Sequence, residues 1–304
     1  MIEIVRPGMQ ATIQDLGRWG FGHLGVPEAG AMDPWSLRLG NRLVGNAEGA
    51  AAIEFLLGGF AVRFRCQRAF AVTGAPLDLS LNGRPAECGQ WQFAKPGDLL
   101  VAGHAAHGMR SYLAVAGGID VAPVLGSRST DSLSGLGPAA LRPGDVVPMR
   151  PPERRAPAVD VVSSMVSKPP DQIAIGFRWG PRDDRFTCSA KQTLATATFA
   201  ISHEVDRIAA RLTGPELEFA ITDDLPTEGL ALGSIQVPPS GHPIIHLANH
   251  PPTGGYAVIG VVATHDVATL SQCRPGTRLR FRPLTTTRSA YWSEPWDPAR
   301  DDLA

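Results

Sequence analysis

Cysteine is scarce in this 304-residue chain, and the four present, Cys66, Cys88, Cys188 and Cys273, show no CxxC or metal-like spacing. A disulfide scaffold or a cysteine-ligated zinc site is therefore excluded, and the thiols read as reduced and mostly buried in a cytoplasmic protein. Charge of one sign is missing too. The 28 basic and 29 acidic residues leave a formal net charge of −1, which offers no field to recruit nucleic acid or an anionic membrane. Long apolar runs are absent. The longest, Ala50 to Leu57, is interrupted by Glu54 and is far too short to span a bilayer. The start, Met1 to Pro7, has no basic stretch followed by an apolar one, so a secretory signal is not expected.

Several catalytic signatures are lacking as well: Walker GxxxxGK[ST], HExxH, GxSxG, and an Ala-Met-Lys-Met biotin-carrier run. His246 and His250 stand four apart, but Pro243 to Leu247 reads as extended, so the pair need not share a face and no metal site is expected.

What the chain does have is 33 glycines and 27 prolines, a mix that suits short strands joined by tight turns. Strands are predicted at 2–5, 61–65, 69–73, 77–81, 99–101, 111–115 and from Ile173. Asn82-Gly83 marks a hairpin, because both central positions of a type I′ turn need positive φ. The clearest helix follows Asp33 as N-cap with Pro34 in its first turn, and Gly45-Asn46 stops it. Pro151-Pro152, Pro157 and Pro169-Pro170 make a linker candidate. The expected organisation is an N-terminal β domain over 1–150, a proline-rich linker over 151–170 and a C-terminal β domain over 171–304. Both domains are expected to be barrel-like.

The run Thr12-Ile13-Gln14-Asp15-Leu16-Gly17-Arg18-Trp19-Gly20 is followed by Gly25-Val26-Pro27 and Gly30-Ala31-Met32-Asp33. Further on stand Ala114-Val115-Ala116-Gly117-Gly118-Ile119-Asp120, Val124-Leu125-Gly126-Ser127-Arg128-Ser129-Thr130, Ala231 to Pro238, and Thr253-Gly254-Gly255-Tyr256. In that order, over nearly the whole chain, they resemble the KipA-like family, also called allophanate hydrolase subunit 2. Its bacterial members include the C-type component of ATP-dependent 5-oxoprolinase. The resemblance implies a mainly β fold of two cyclophilin-like β-barrel domains. It also implies two companions, a KipI-like partner of the B type and a third, barrel-type subunit of the A type. The activity it implies is that of an enzyme subunit that opens a lactam, 5-oxoproline to glutamate, with ATP bound by the complex rather than by this chain alone. Two alternatives stay open: a carboxyltransferase module of a biotin-dependent, urea carboxylase-like system, and a non-catalytic regulator antagonising a KipI-like kinase inhibitor. This sequence departs from the family where Asp-Arg-Gln-Thr is common, reading Asn249-His250-Pro251-Pro252-Thr253. It departs again at Arg207-Ile208-Ala209-Ala210-Arg211-Leu212, where the arginines remain but a glycine and a tyrosine do not.

Opening a lactam calls for donors to a charged oxygen and a group that positions water. Asp15, Arg18 and Arg128 are the catalytic candidates. Gln14, Ser129, Arg207, Gln236, Thr253, Gly254, Gly255 and Tyr256 are the substrate-binding candidates. Structural readings compete: Asp15 salt-bridged to Arg18, Arg207 paired with Asp206 or Glu204, and Gln236 in a purely structural hydrogen bond.

Overall fold

A computed structural model describes residues 1–152, 167–168, 170 and 172–284. The expected linker, 151–170, falls mainly outside the described residues. The strands before it build two sheets and those after it a closed barrel with a small two-stranded ribbon, Glu228–Gly229 against Thr253–Gly254.

One sheet has the strand order Val146–Val147, Ile2–Pro7, Phe60–Phe64, Leu99–Ala105, Leu77–Leu81, Arg84–Ala86. The other runs Ala11–Gln14, Ala52–Leu56, Arg110–Val115, Arg68–Gly74, Trp91–Ala94. Period-two alternation decides what each face does. Ile53, Phe55, Phe70, Val72, Leu113 and Val115 of the second sheet pack against Ile2, Ile4, Val62 and Phe64 of the first. Each such side chain, fully buried, stabilises by about 1.5–3 kcal/mol. The intervening residues Ala52, Ala69, Ala71, Tyr112 and Ala114 face the opposite way, towards Leu37 and Leu43 of the helix Pro34–Leu43. Small residues let that helix lie close. A Cβ on Gly40 would stand 2.9 Å from Thr73 Oγ1.

The helix is capped as its sequence predicts: Asp33 accepts from Ser36 N at 3.1 Å and from Ser36 Oγ at 2.6 Å. The Asn82-Gly83 turn, at φ 54° and 76°, joins Leu77–Leu81 to Arg84–Ala86.

The second unit is a seven-stranded closed barrel, in the order Gln172–Trp179, Ala257–Val262, Ser234–Val237, Ile244–His246, Ala209–Thr213, Thr198–Val205, Arg278–Pro283. Closure removes the sheet edges on which other strands could pair. Its core holds Phe177, Phe199, Phe281, Ile235 and Ile245, and Met32 of the first half reaches into it. The mainly β expectation holds, with the barrel closed in the second half and two stacked sheets in the first. Two short helices, Cys188–Thr196 and Thr264–Leu270, carry no sequence signal strong enough to predict them. The thiols are free, but only Cys273 is buried and Cys188 is exposed, which corrects the expectation of mostly buried cysteines. Among the described residues, no helix is long and apolar enough to cross a membrane.

Candidate functional site

A polar stripe crosses the face of the second sheet that is turned away from the sandwich core. Thr12 pairs in register with Glu54, Glu54 with Tyr112, and Tyr112 with Thr73. Directly opposed residues put their side chains on the same face. Glu54 is at its centre, 2% exposed. Its carboxylate accepts from Tyr112 OH at 2.8 Å, Met32 N at 2.9 Å and Arg110 Nη1 at 3.2 Å. It also accepts from Nη1 of Arg207, which arrives from the other half and donates its Nη2 to Gly30 O. Burial disfavours the charge, yet the Arg207 and Arg110 guanidinia outweigh it and hold Glu54 below the usual carboxylate range. Burial, with the Glu54 and Asp33 charges, pushes the Tyr112 phenol well up, so it stays a donor.

Gln272 clamps the same seam. Its Oε1 accepts from Met109 N and Arg110 N, both at 2.9 Å, while Nε2 donates to Asp33 at 2.8 Å and Arg110 O at 3.0 Å. Asn249 makes a third crossing, donating Nδ2 to Asp131 at 2.7 Å and accepting from Ser132 N at 3.1 Å.

The predicted N-terminal candidates lie beside this seam. Asp15 accepts from Ser127 Oγ and Ser129 Oγ at 2.6 Å each, Arg128 N at 2.6 Å and Gly17 N at 2.9 Å. Three of these bonds fall on Oδ1 and one on Oδ2, so Asp15 holds the 127–129 loop in place while Oδ2 keeps acceptor capacity. It does not pair with Arg18. Arg18, 1% exposed, donates to Ser129 O and stands 3.8 Å from Asp131, leaving Nε and Nη1 without a hydrogen bond. Desolvation lowers its pKa against the pull of Asp131 and Asp15. Arg128 donates Nε to Val121 O at 2.8 Å, and Arg18 donates to Ser129 O. Gln14 donates to Thr12 and Thr130 O and keeps Oε1 unpartnered. Arg207 pairs with Glu54 rather than with Asp206 or Glu204, and Glu204 pairs with Arg211.

The C-terminal candidates form a second arm. Gln236 donates Nε2 to Tyr256 O at 2.9 Å, which turns Oε1 towards His246 Nε2 at 2.8 Å. That network assigns the His246 proton to Nε2 and leaves Nδ1 a bare acceptor. His250 Nδ1 lies 2.8 Å from Pro251 O, so it carries the proton and Nε2 is bare. The rings are 6.2 Å apart. Burial, with His250 nearby, brings His246 down to about 4, and burial lowers His250 also. Both imidazoles are neutral. Of the two glycines, Gly254 is the constrained one. A Cβ there would meet Gln236 Nε2 at 2.7 Å, whereas Gly255 has open space. Thr253 belongs to a short strand paired with Glu228–Gly229, and Tyr256 is half-exposed on the rim of a cleft. Among the described residues, no group of three or more His, Cys, Asp or Glu is arranged to hold a metal.

The family model described as carboxyltransferase domain, subdomain A and B, matches residues 24–283. The chain belongs to this carboxyltransferase-domain family. It is 36% identical over 288 residues to the C-type component of the Escherichia coli 5-oxoprolinase, covering 92% of this chain and 90% of that protein. It is 31% identical over 328 residues to the urea amidolyase of Lachancea kluyveri, covering 99% of this chain but 18% of the relative. Among solved structures, the K. lactis urea amidolyase superposes with a TM-score of 0.86 at 29% identity, over 93% of this chain. The chain spans only 19% of that larger polypeptide.

In this carboxyltransferase-family chain the departure at Asn249 and His250 falls on the seam itself, where Asn249 meets Asp131 and His250 offers a bare nitrogen. Sequence reasoning missed Glu54, Arg110, Asp131 and Gln272. For Glu54 a signal existed: an acid inside an apolar, strand-like run must be buried with partners.

Proposed function

We propose that this chain is the C-type component of a cytoplasmic, ATP-dependent 5-oxoprolinase-type amidohydrolase, working with a KipI-like partner and a third, barrel-type subunit. The observation that carries the reading is the set of bare polar atoms on the seam. His246 Nδ1, His250 Nε2 and Gln14 Oε1 are acceptors, and Arg18 Nε and Nη1 are donors; all are buried without a hydrogen bond, and Nη1 has only the distant Asp131 carboxylate at 3.8 Å. A lactam presents one N–H and one carbonyl oxygen, the complement of such a set. Buried polar atoms left unpaired are costly, so a ligand that satisfies them gains more than the same contacts would give in water. Arg18 would meet the amide oxygen as it gains charge, and the neutral histidines the N–H. The 36% identity to the corresponding component of the Escherichia coli 5-oxoprolinase supports the same assignment.

In this reading ATP is held by the complex rather than by this chain alone. Two of the clefts each offer a single arginine, Arg38 in one and Arg185 in another beside Asp223 and Asp224, where a triphosphate is best held by several cations. A second reading, transfer of a carboxyl group from a biotin carrier on another chain, is favoured by the description of the family model.

The test is reconstitution with the two partner subunits. Glutamate formation from 5-oxoproline, coupled to ATP hydrolysis, is expected from the complex and not from this chain alone. Oxoproline-dependent ATP hydrolysis by the isolated chain would refute the partner requirement. A complex that forms, carries out biotin-dependent carboxyl transfer and leaves 5-oxoproline untouched would overturn the lactam assignment.

A further inference from the structure

A separate cleft of about 540 Å³ opens on the barrel, away from the stripe on the sheet. It has the size of a small-molecule site. Phe219, Ile221, Val237 and Tyr256 give it apolar walls, and Arg185 lines it as well. Arg185 comes from the short helix Asp183–Arg185 and is 9% exposed.

What makes this arginine unusual is its company. The carboxylate whose ionisation it influences, Glu228, is already taken by Arg182, which donates Nε at 2.9 and 3.1 Å and a second nitrogen besides. The side-chain hydrogen bond of Arg185 goes to a neutral group, the carbonyl of Asp223. Among the described residues no carboxylate forms an ion pair with it. An arginine 9% exposed, with one hydrogen bond to a carbonyl, no ion pair and a cleft beside it, is matched to a planar anion gripped at two points. Asp223 and Asp224 on the facing loop add negative charge at the exposed rim.

We propose that this cleft binds a small amino-acid-derived carboxylate. The carboxylate sits on Arg185, the apolar body lies against Phe219 and Tyr256, and an N–H or ammonium group points to the acidic rim. The site stands independently of the lactam reading, because a regulator could carry it equally well. It is joined to the seam, since Tyr256 O is held by Gln236, which holds His246.

Isothermal titration of the full chain, without partners or nucleotide, tests the site with three probes: L-5-oxoproline, L-glutamate and 2-pyrrolidinone, which keeps the lactam ring and lacks the carboxylate. Saturable binding of at least one carboxylate probe is expected, with pyrrolidinone at least about tenfold weaker. Whichever of 5-oxoproline and glutamate binds more tightly names the carboxylate the cleft is shaped for, and either supports the proposal. Arg185→Lys keeps a donor for Asp223 O and the charge but loses the fork, so affinity should fall about tenfold at an unchanged melting temperature. If that variant unfolds, Tyr256→Ala, at a half-exposed position, is expected to weaken binding instead. Absence of saturable binding by either carboxylate up to about 10 mM, or pyrrolidinone binding as tightly as they do, overturns the proposal. Because no turnover is read, this result and that of the reconstitution fail or succeed separately.

Discussion

Glu54→Gln takes one negative charge out of the seam while leaving its shape almost intact. In the parent chain the carboxylate serves Tyr112 and Met32 on one side and the Arg110 and Arg207 guanidinia on the other. Glutamine has one acceptor oxygen. Whichever side it serves, its NH₂ group is turned against donors, and two guanidinia are left buried without a counter-charge. Removing one partner of a buried pair costs about 3–5 kcal/mol. For chains of this order of size each kcal/mol lowers the melting temperature by about 2–4 °C, which gives a fall on the order of 10 °C. Thermal and urea denaturation, followed by tryptophan fluorescence and circular dichroism, read the loss directly. Arg207→Gln and the double variant complete a cycle. Since the two residues act as one unit, the double variant should cost clearly less than the sum of the singles. The pH dependence has a definite sign. The folded pKa of Glu54 is depressed, so its contribution is present above the ordinary carboxylate range and disappears as pH falls through the lower folded value. A Glu54→Gln chain that melts within about 1 °C of the parent, a shift worth well under 1 kcal/mol, would refute the claim that this carboxylate holds the halves together.

Two further outcomes are expected. His246 has a folded pKa of about 4 against an ordinary value of 6.5, so the unfolded chain takes up the proton first. Its stabilisation is full above pH 6.5 and falls by up to about 3 kcal/mol towards pH 4. His246→Gln should flatten the denaturation profile over that window, and an equally steep profile would remove His246 as the cause. Gly58→Ala places a Cβ 1.8 Å from Gly103 O at a φ of +86°, so a loss of more than about 1 kcal/mol is expected in thermal melts; a parent-like melt would mean that the backbone there has room to move.

The elements that could be read from the sequence are those whose cause is local. Asp33 and Pro34 start a helix by satisfying and omitting N–H groups within one turn, and Asn82-Gly83 needs only its own φ angles. Several predicted site residues, Gln14, Asp15, Arg18 and Arg207 among them, gather beside one seam, but their roles could not be read, because partners decide them. Asp15 reads as a free acid until Ser127, Ser129 and the Arg128 amide, more than a hundred positions away, claim its oxygens. Arg207 reads as a strand-end ion pair until Glu54 arrives from the other half. Gln272 carries no motif at all. Its importance lies in two backbone amides and a carbonyl that only the folded chain brings within reach.

The stripe of Thr12, Glu54, Tyr112 and Thr73 also bears on how the chain is made. The sheet that carries it emerges from the ribosome before the barrel that will cover it, since every barrel strand lies later in the sequence. A large apolar sheet face waiting for a missing cover is an aggregation hazard. Here the helix Pro34–Leu43 covers the alanine-lined part at once, and the rest of that face is hydroxyls, a carboxylate and a phenol that water can solvate. The polar stripe therefore lowers the aggregation hazard of the nascent first half before Arg207 and Gln272, which seal the seam, are synthesised.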